Sequence, residues 1–323
     1  MKETIEIQKV VVPVDLSQNS EEALPLAFSL AREFKARLYL LYVYHLPSFL
    51  DLLAAPLAFL KGKEELAAEI EKQAQQKLSA LIQRYHQEES DLQLEGLVRQ
   101  GVPYEEILKV AQEVEASLIV ICTRGLTGLE HLILGSTAER VVRMAECPVM
   151  TVRPRGQRSV MPGQAISLRK ILAPVDFSPC SRKTLHYAIA LAQRYKAELH
   201  LLTCNEGYVA GPEIIKGDLP PESRKVQSLL DLIEALSRRE TEERFEKFLE
   251  EIPVEELGIP VERVIVEGTP YQEIIQKARE LEAELIVMGT HGRTGLERVL
   301  LGSTTEKVVR LAPCAVMTVR GEA

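Results

Sequence analysis

The sequence predicts an α/β protein made of two tandem copies of one unit, each a parallel β-sheet with helices on both faces. Three observations predict it. The chain has 323 residues, enough for two ordinary domains. The sequence is written twice. "KVVVPVDLSQNSEEALPLAFSLAREFKARLYLLYV" (residues 9–43) aligns with "KILAPVDFSPCSRKTLHYAIALAQRYKAELHLLTC" (170–204). "GVPYEEILKVAQEVEASLIVIC" (101–122) aligns with "GTPYQEIIQKARELEAELIVMG" (268–289), and "GSTAERVVRMAECPVMTVR" (135–153) with "GSTTEKVVRLAPCAVMTVR" (302–320). Finally, short, nearly continuous apolar runs alternate with helical periods in each copy, as expected for strands buried on both faces.

The elements follow in order. In the first half the strands are "VVVPV", "ARLYLLYV", "LQLEGLV", "SLIVIC" and "VMTV". The helical patterns cover residues 19–35, 62–88, 103–115 and 135–146. The second half repeats the order, with strands at 170–175, 198–204, 261–267, 285–289 and 315–319. Ser20 and Ser181 stand before first helical turns, and Pro103 and Pro270 occupy first-turn positions where the missing N–H costs nothing. "PRGQRSVMPGQAISL" has no period and reads as a linker, which gives domains at 1–153 and 169–323 joined by 154–168. The non-repeating segments follow the second strand of each half. One contains "FLDLLAAPLAFL", read as a packing or subunit contact; the other, "NEGYVAGPEIIKGDLPPESRK", leads into a long charged helix.

Composition narrows the function. A hydrophobic content of 46% with 27% charged residues describes a globular chain, and a net charge of −8 with interspersed signs argues against a nucleic-acid surface. No segment has the order of a signal peptide, and no apolar run reaches the ~18–20 residues of a membrane span. The protein is therefore expected in the cytoplasm, without a membrane partner. Its five cysteines form no CxxC pair and suit reduced thiols; Cys122, Cys147 and Cys314 read as packed residues.

The chemistry gathers at two strand ends. In a doubly wound sheet, ligands bind beyond the carboxyl ends of the strands. Asp15 and Asp176 follow the first strand of each half, and a glycine-containing loop follows the fourth. That loop in the second half, "GTHGRTGLERVLLGSTTEK", ends on Gly302, Ser303 and Thr304 at the start of a helical pattern. Glycines there serve a turn, a cap or a bound phosphate. Backbone N–H groups of such a loop and of a helix N-terminus suit phosphate oxygens. The alternative is a capping box, Ser303 with Glu306 and Ser136 with Glu139, which needs no ligand. Neither GxxxxGK[ST] nor GxGxxG occurs, so the motifs of rapid phosphoryl transfer and of dinucleotide binding are missing. HExxH and GxSxG are missing too, and His186 and His200 read as satisfied core or surface residues.

The spacing Gly289-x2-Gly292-x9-Gly302-Ser303, with "KILAPVDFS" opening the unit, resembles the ATP-binding branch of the universal stress protein family in its tandem two-domain form. The resemblance implies five-stranded parallel sheets in the order 3-2-1-4-5. It also implies antiparallel pairing of the fifth strands, so that the halves form a dimer-like unit within one chain; a homodimer is compatible with it. Carried over by position, it implies that Asp176 accepts a hydrogen bond from adenine, and that Pro174, Val175, Cys204 and Met288 border the base. Gly289 and Gly292 would close on ribose and α-phosphate, with His291 and Arg293 at the phosphate edge. Gly302, Ser303 and Thr304 would receive the β- and γ-phosphates together with Mg²⁺. The first half retains Asp15, Gly101, Gly125, Gly135, Ser136 and Thr137 and has Val43 at the place of Cys204, but has Cys122 and Arg124 where the second has Gly289 and His291. A side chain at 122 is expected to crowd a ligand there. The implied function is a nucleotide-binding regulator of stress responses acting on a protein partner of unknown identity. The alternatives are a slow ATPase and a ligand-free scaffold.

Overall fold

The computed structural model describes residues 5–44, 63–86, 92–123, 134–153, 167–205, 224–250, 252, 254–292 and 301–321. The segment "FLDLLAAPLAFL" and most of the linker lie outside the described residues, as do Arg124, Gly125 and Arg293. The chain forms two compact units, Met1–Ser167 with Ala315–Arg320 and Leu168–Cys314 with Gly321–Ala323.

The first unit runs β1 (Lys9–Val14), α1 (Gln18–Glu21), α2 (Leu24–Phe34), β2 (Arg37–Tyr44), α3 (Lys63–His86), β3 (Leu94–Gln100), α4 (Pro103–Glu113), β4 (Leu118–Cys122), α5 (Ser136–Met144) and β5 (Val149–Val152). Its strands lie in the order β3-β2-β1-β4-β5, all parallel, as the resemblance implies. The second unit repeats this with β6 (Lys170–Pro174), α6 (Pro179–Tyr195), β7 (Glu198–Asn205), α7 (Arg224–Leu249), β8 (Val261–Glu267), α8 (Pro270–Glu280), β9 (Leu285–Gly289) and α9 (Ser303–Leu311). Its order is β8-β7-β6-β9, again parallel. The last strand, β10 (Ala315–Val319), belongs to the first unit and pairs antiparallel with β5, Met317 opposite Met150. Two buried threonines seal this ladder: Thr151 Oγ1 donates to Val316 O at 3.1 Å, and Thr318 Oγ1 to Val149 O at 3.2 Å. Among the described residues no helix is long and apolar enough to cross a membrane.

Burial follows from strand position. β4 and the apolar part of β9 are buried throughout, because helices cover both faces of a central parallel strand. The outer strands β3 and β8 are only half covered and carry charges such as Glu95, Arg99, Glu262 and Arg263.

Backbone strain is duplicated as well. Leu16 and Phe177 have φ of 60° and 66°, and further non-glycine pairs at positive φ fall at Lys35 and Lys196 and at Glu115 and Glu282. At Leu16 and Phe177 the cause is local. The preceding aspartate turns its carboxylate back onto the chain, so that Asp15 Oδ1 accepts from Ser17 N at 3.0 Å and Asp176 Oδ1 from Ser178 N at 3.1 Å.

Three expectations about helix starts are corrected. The capping serines are Ser17 and Ser178, whose hydroxyls accept from Ser20 N and Ser181 N, both at 3.2 Å. Ser20 and Ser181 sit inside the first turn and accept instead from Asp15 N and Asp176 N. The first helix of the first unit is broken at Glu22–Ala23, whereas its counterpart α6 is continuous. Pro25 explains the break: it lacks the N–H that would donate to Glu21 O, while the aligned residue in α6 is His186. Finally, neither Ser136 nor Ser303 forms a capping box. The caps are Gly135 and Gly302, without a side-chain cap bond, and each serine is the first helical residue. The first-turn prolines stand as expected, Pro103 opening α4 and Pro270 opening α8. Ser178→Ala is expected to cost about 1 kcal/mol of unfolding free energy, read from urea denaturation, through loss of the α6 cap.

Candidate functional site

The carboxyl ends of β6, β7 and β9 and the starts of α8 and α9 surround a cavity of about 420 Å³ in the second unit. Parallel strands make this convergence inevitable, since every strand end opens on the same edge. Pro174, Val175 and Asp176 line it from β6, Cys204 from β7, and Met288 and Gly289 from β9. His291 and Gly292 follow in the loop, and Gly302, Ser303 and Thr304 close the far side at the start of α9. The sequence-predicted residues of the second half that are described therefore share one cavity.

Asp176 is rigidly held. Its Oδ1 accepts from Ser178 N, from Ser178 Oγ at 2.6 Å and from Ser181 Oγ. The other oxygen, Oδ2, faces Gly292, where a Cβ would stand 2.6 Å from it. Glycine at 292 thus permits an approach that any side chain would close. Phe177, thrown outward by its positive φ, packs on α7, with ring centroids 5.8 Å from Phe245 and 5.6 Å from Phe248. Arg244 stacks over Phe177 at 5.1 Å and Arg182 over Phe248 at 4.9 Å, fixing the loop that carries Asp176.

The glycine at the α9 cap is required by close packing. Gly302 N donates to Thr290 O at 2.9 Å, and a Cβ on Gly302 would lie 3.1 Å from that carbonyl. The first intrahelical bond runs from Glu306 N to Gly302 O, which leaves the N–H groups of the first turn to be satisfied from outside the helix. They and the helix dipole give this end a positive character. His291 adds a polar group: Nδ1 lies 2.9 Å from Thr290 Oγ1, while the buried Nε2 has no hydrogen-bond partner among the described residues.

Gly289 lines the cavity and also serves packing. A Cβ there would meet Cys180 Sγ at 2.6 Å and His291 O at 3.2 Å, so the glycine admits α6 against the sheet. In the first unit the residue aligned with Cys180 is Asn19, and Cys122 is itself buried. At 289 the Cβ direction leads toward α6.

The remaining first-unit candidates take equivalent places. Asp15 ends β1 in the same hydrogen-bonded turn, and Val43 is half-buried on β2. Gly135 caps α5 with its N–H on Thr123 O at 2.8 Å, ahead of Ser136 and Thr137. Burial pushes the Cys147 thiol up to about 11, away from the thiolate form.

Several lining residues escaped the sequence reading. Tyr271 and Ile274 reach the cavity from α8, and Thr305 and Lys307 from α9. Lys307 Nζ sits 4.4 Å above the Tyr271 ring. Arg140 lies 4.6 Å above Tyr104 at the aligned positions of the first unit, so an aromatic residue paired with a cation in both repeats was the available signal. Thr305 Oγ1 donates to Gly289 O at 2.8 Å, tying α9 to the end of β9; the first unit has Ala138 there.

Comparison with known proteins places this geometry. A universal stress protein of Methanocaldococcus jannaschii is 38% identical over 146 residues, which is 45% of this chain and 82% of that protein. Universal stress protein YxiE of Bacillus subtilis is 33% identical over 151 residues, 47% of this chain and 98% of its own length. The crystal structure of a universal stress protein from Archaeoglobus fulgidus has the same fold across 98% of this chain and 97% of that one, with a TM-score of 0.65 at 22% identity. Residues 6–153 and again 167–320 match the universal stress protein family, and the chain therefore belongs to that family and carries its domain twice.

Proposed function

We propose that the chain is a nucleotide-binding regulatory protein whose second unit holds ATP in the strand-end cavity. The observation that carries this reading is the pairing, on one cavity, of a fixed carboxylate at Asp176 with a helix start at Gly302 that no side chain caps. An adenine amino group is a hydrogen-bond donor and a phosphate is an acceptor with negative charge, so one ligand satisfies both ends. Asp176 would take the adenine edge, and Val175, Cys204 and Met288 would flank the base. Gly289 and Gly292 would border ribose and α-phosphate. His291, Arg293, Gly302, Ser303 and Thr304 would receive the phosphates, with Lys307 adding a positive charge.

The donor set fits phosphate better than a bare metal ion. Asp176 is the one carboxylate along the cavity among the described residues, and its serine bonds occupy one of its two oxygens. Mg²⁺ would therefore ride on the phosphates, screening their charge. With no carboxylate at the phosphate end among the described residues, the site favours holding ATP over hydrolysing it, and the bound nucleotide would set the choice of protein partner. The first unit shares the aspartate turn and the glycine cap, which supports a second, weaker site.

Mass spectrometry of a denatured extract should detect adenine nucleotide, and calorimetry should give saturable heat on ATP addition. Ser303→Ala is expected to weaken binding only a few-fold, since it removes one hydroxyl and keeps the backbone donors, a loss of about 1 kcal/mol. No nucleotide in the extract together with no heat would leave the scaffold reading. Phosphate release over hours, abolished by substitution of Gly302, would favour the slow ATPase.

A further inference from the structure

The side chains of Glu198, His200 and Glu262 form a cluster in the second unit away from the cavity residues described above. His200 lies on β7 in register with Glu262 on β8, and Glu198 is two residues before it on the same face. The imidazole is 1% exposed, yet neither ring nitrogen makes a hydrogen bond among the described residues. Carboxylate oxygens stand beside both: Glu262 Oε2 is 2.8 Å from Nδ1 and Glu198 Oε1 is 3.4 Å from Nε2. A buried imidazole set between two carboxylates, with neither ring nitrogen in hydrogen-bond geometry among the described residues, calls for a partner that joins the three.

The first unit shows what kind of partner. At the aligned positions it has Arg37, Tyr39 and Glu95, with Tyr39 in register with Glu95 and Arg37 Nη1 3.9 Å from Glu95 Oε2. There a guanidinium supplies the positive charge between the two strands. In the second unit that arginine has become an acid and the tyrosine an imidazole, so two carboxylates and a histidine stand where a cation was. The lysine on the neighbouring strand does not account for the difference. Lys170 is in register with Glu198, as Lys9 is with Arg37.

We infer that Glu198, His200 and Glu262 bind a divalent transition-metal ion of the zinc class. The three ligand atoms lie within 4.8 Å of one another, and imidazole with carboxylates is a zinc-type donor set. One ring nitrogen takes the ion, Nδ1 being the one closer to a carboxylate, and water completes the coordination. Entry is open, since the Glu262 side chain is 54% exposed. The ion clamps the outer strand β8 onto β7, as the Arg37 pair links β2 and β3.

The test loads the full-length chain with Zn²⁺, dialyses it, and measures metal content and thermal midpoint beside two variants that copy the first unit, His200→Tyr and Glu198→Arg. Both variants keep all five cysteines, so zinc held by thiols cancels in the comparison. The wild type is expected to retain about one more Zn²⁺ per chain than either variant, and only its midpoint should rise with zinc. If His200→Tyr fails to fold, Glu198→Arg, which restores the pairing with the outer-strand glutamate, gives the same comparison. Equal zinc in the wild type and the folded variants overturns the inference. So does a midpoint that follows pH but not zinc, which would assign the charge to a proton on His200.

Discussion

Gly292→Ala is expected to weaken ATP binding by about 10- to 100-fold while leaving the fold intact. A methyl group at 292 would stand 2.6 Å from Asp176 Oδ2, well inside van der Waals contact. The carboxylate cannot simply rotate away, because Oδ1 is held by Ser178 and Ser181. Either the loop retreats or the aspartate turn opens, and both change the edge offered to adenine. Overpacking of this kind costs about 1–3 kcal/mol, and about 1.4 kcal/mol corresponds to a factor of ten in affinity. Calorimetry with ATP, alongside a denaturation curve that shows the variant still folds cooperatively, reads the effect directly. Unchanged affinity would remove Gly292 from the site and, with it, the reading of Asp176 as the adenine acceptor.

Phe248→Ala is expected to cost about 3–5 kcal/mol in the unfolding transition of the second unit, measured by urea denaturation, and to weaken ATP binding as well. The ring is buried, meets Phe177 edge-on and carries Arg182 on its face. Its removal leaves a cavity and takes away the packing that, together with the Asp176 turn, holds Phe177 at a φ of 66°. Asp176 precedes Phe177 directly, so loosening the aromatic cluster loosens the acceptor. A stability loss under about 1 kcal/mol would mean that α7 is held on the unit by other contacts.

Much of this protein was legible in its sequence. Apolar runs such as "LIVIC" and "LIVM" admit no half-exposed strand, so they had to lie centrally in a sheet covered on both faces. The repeat then doubled every inference, because the same run recurs with the same neighbours. In the second half, glycine spacing and the aspartate that follows the first strand pointed to the strand-end crevice, and the family resemblance supplied the remaining candidates such as Val175, Cys204 and Met288.

Local interactions were less legible where near neighbours compete for one role. Ser17 and Ser20, or Ser178 and Ser181, are equally good capping residues by type; which of them caps depends on where the aspartate carboxylate turns. The break at Glu22–Ala23 was signalled by Pro25 and overlooked, because the helical apolar period continues across it.

By itself the sequence determined the repeat, the strand and helix order and the placement of polar groups at strand ends, because these follow from periodicity and from the limited ways of burying apolar strands. Only the tertiary structure decided what each glycine is for. Gly292 faces a carboxylate, Gly302 a carbonyl and Gly289 the sulfur of Cys180, three different neighbours for one residue type. Only the structure, too, left His200 buried between two carboxylates and placed Lys307 above Tyr271. The reason is physical: periodicity reports which face of an element is buried, whereas the atom met across an interface depends on residues distant in the chain.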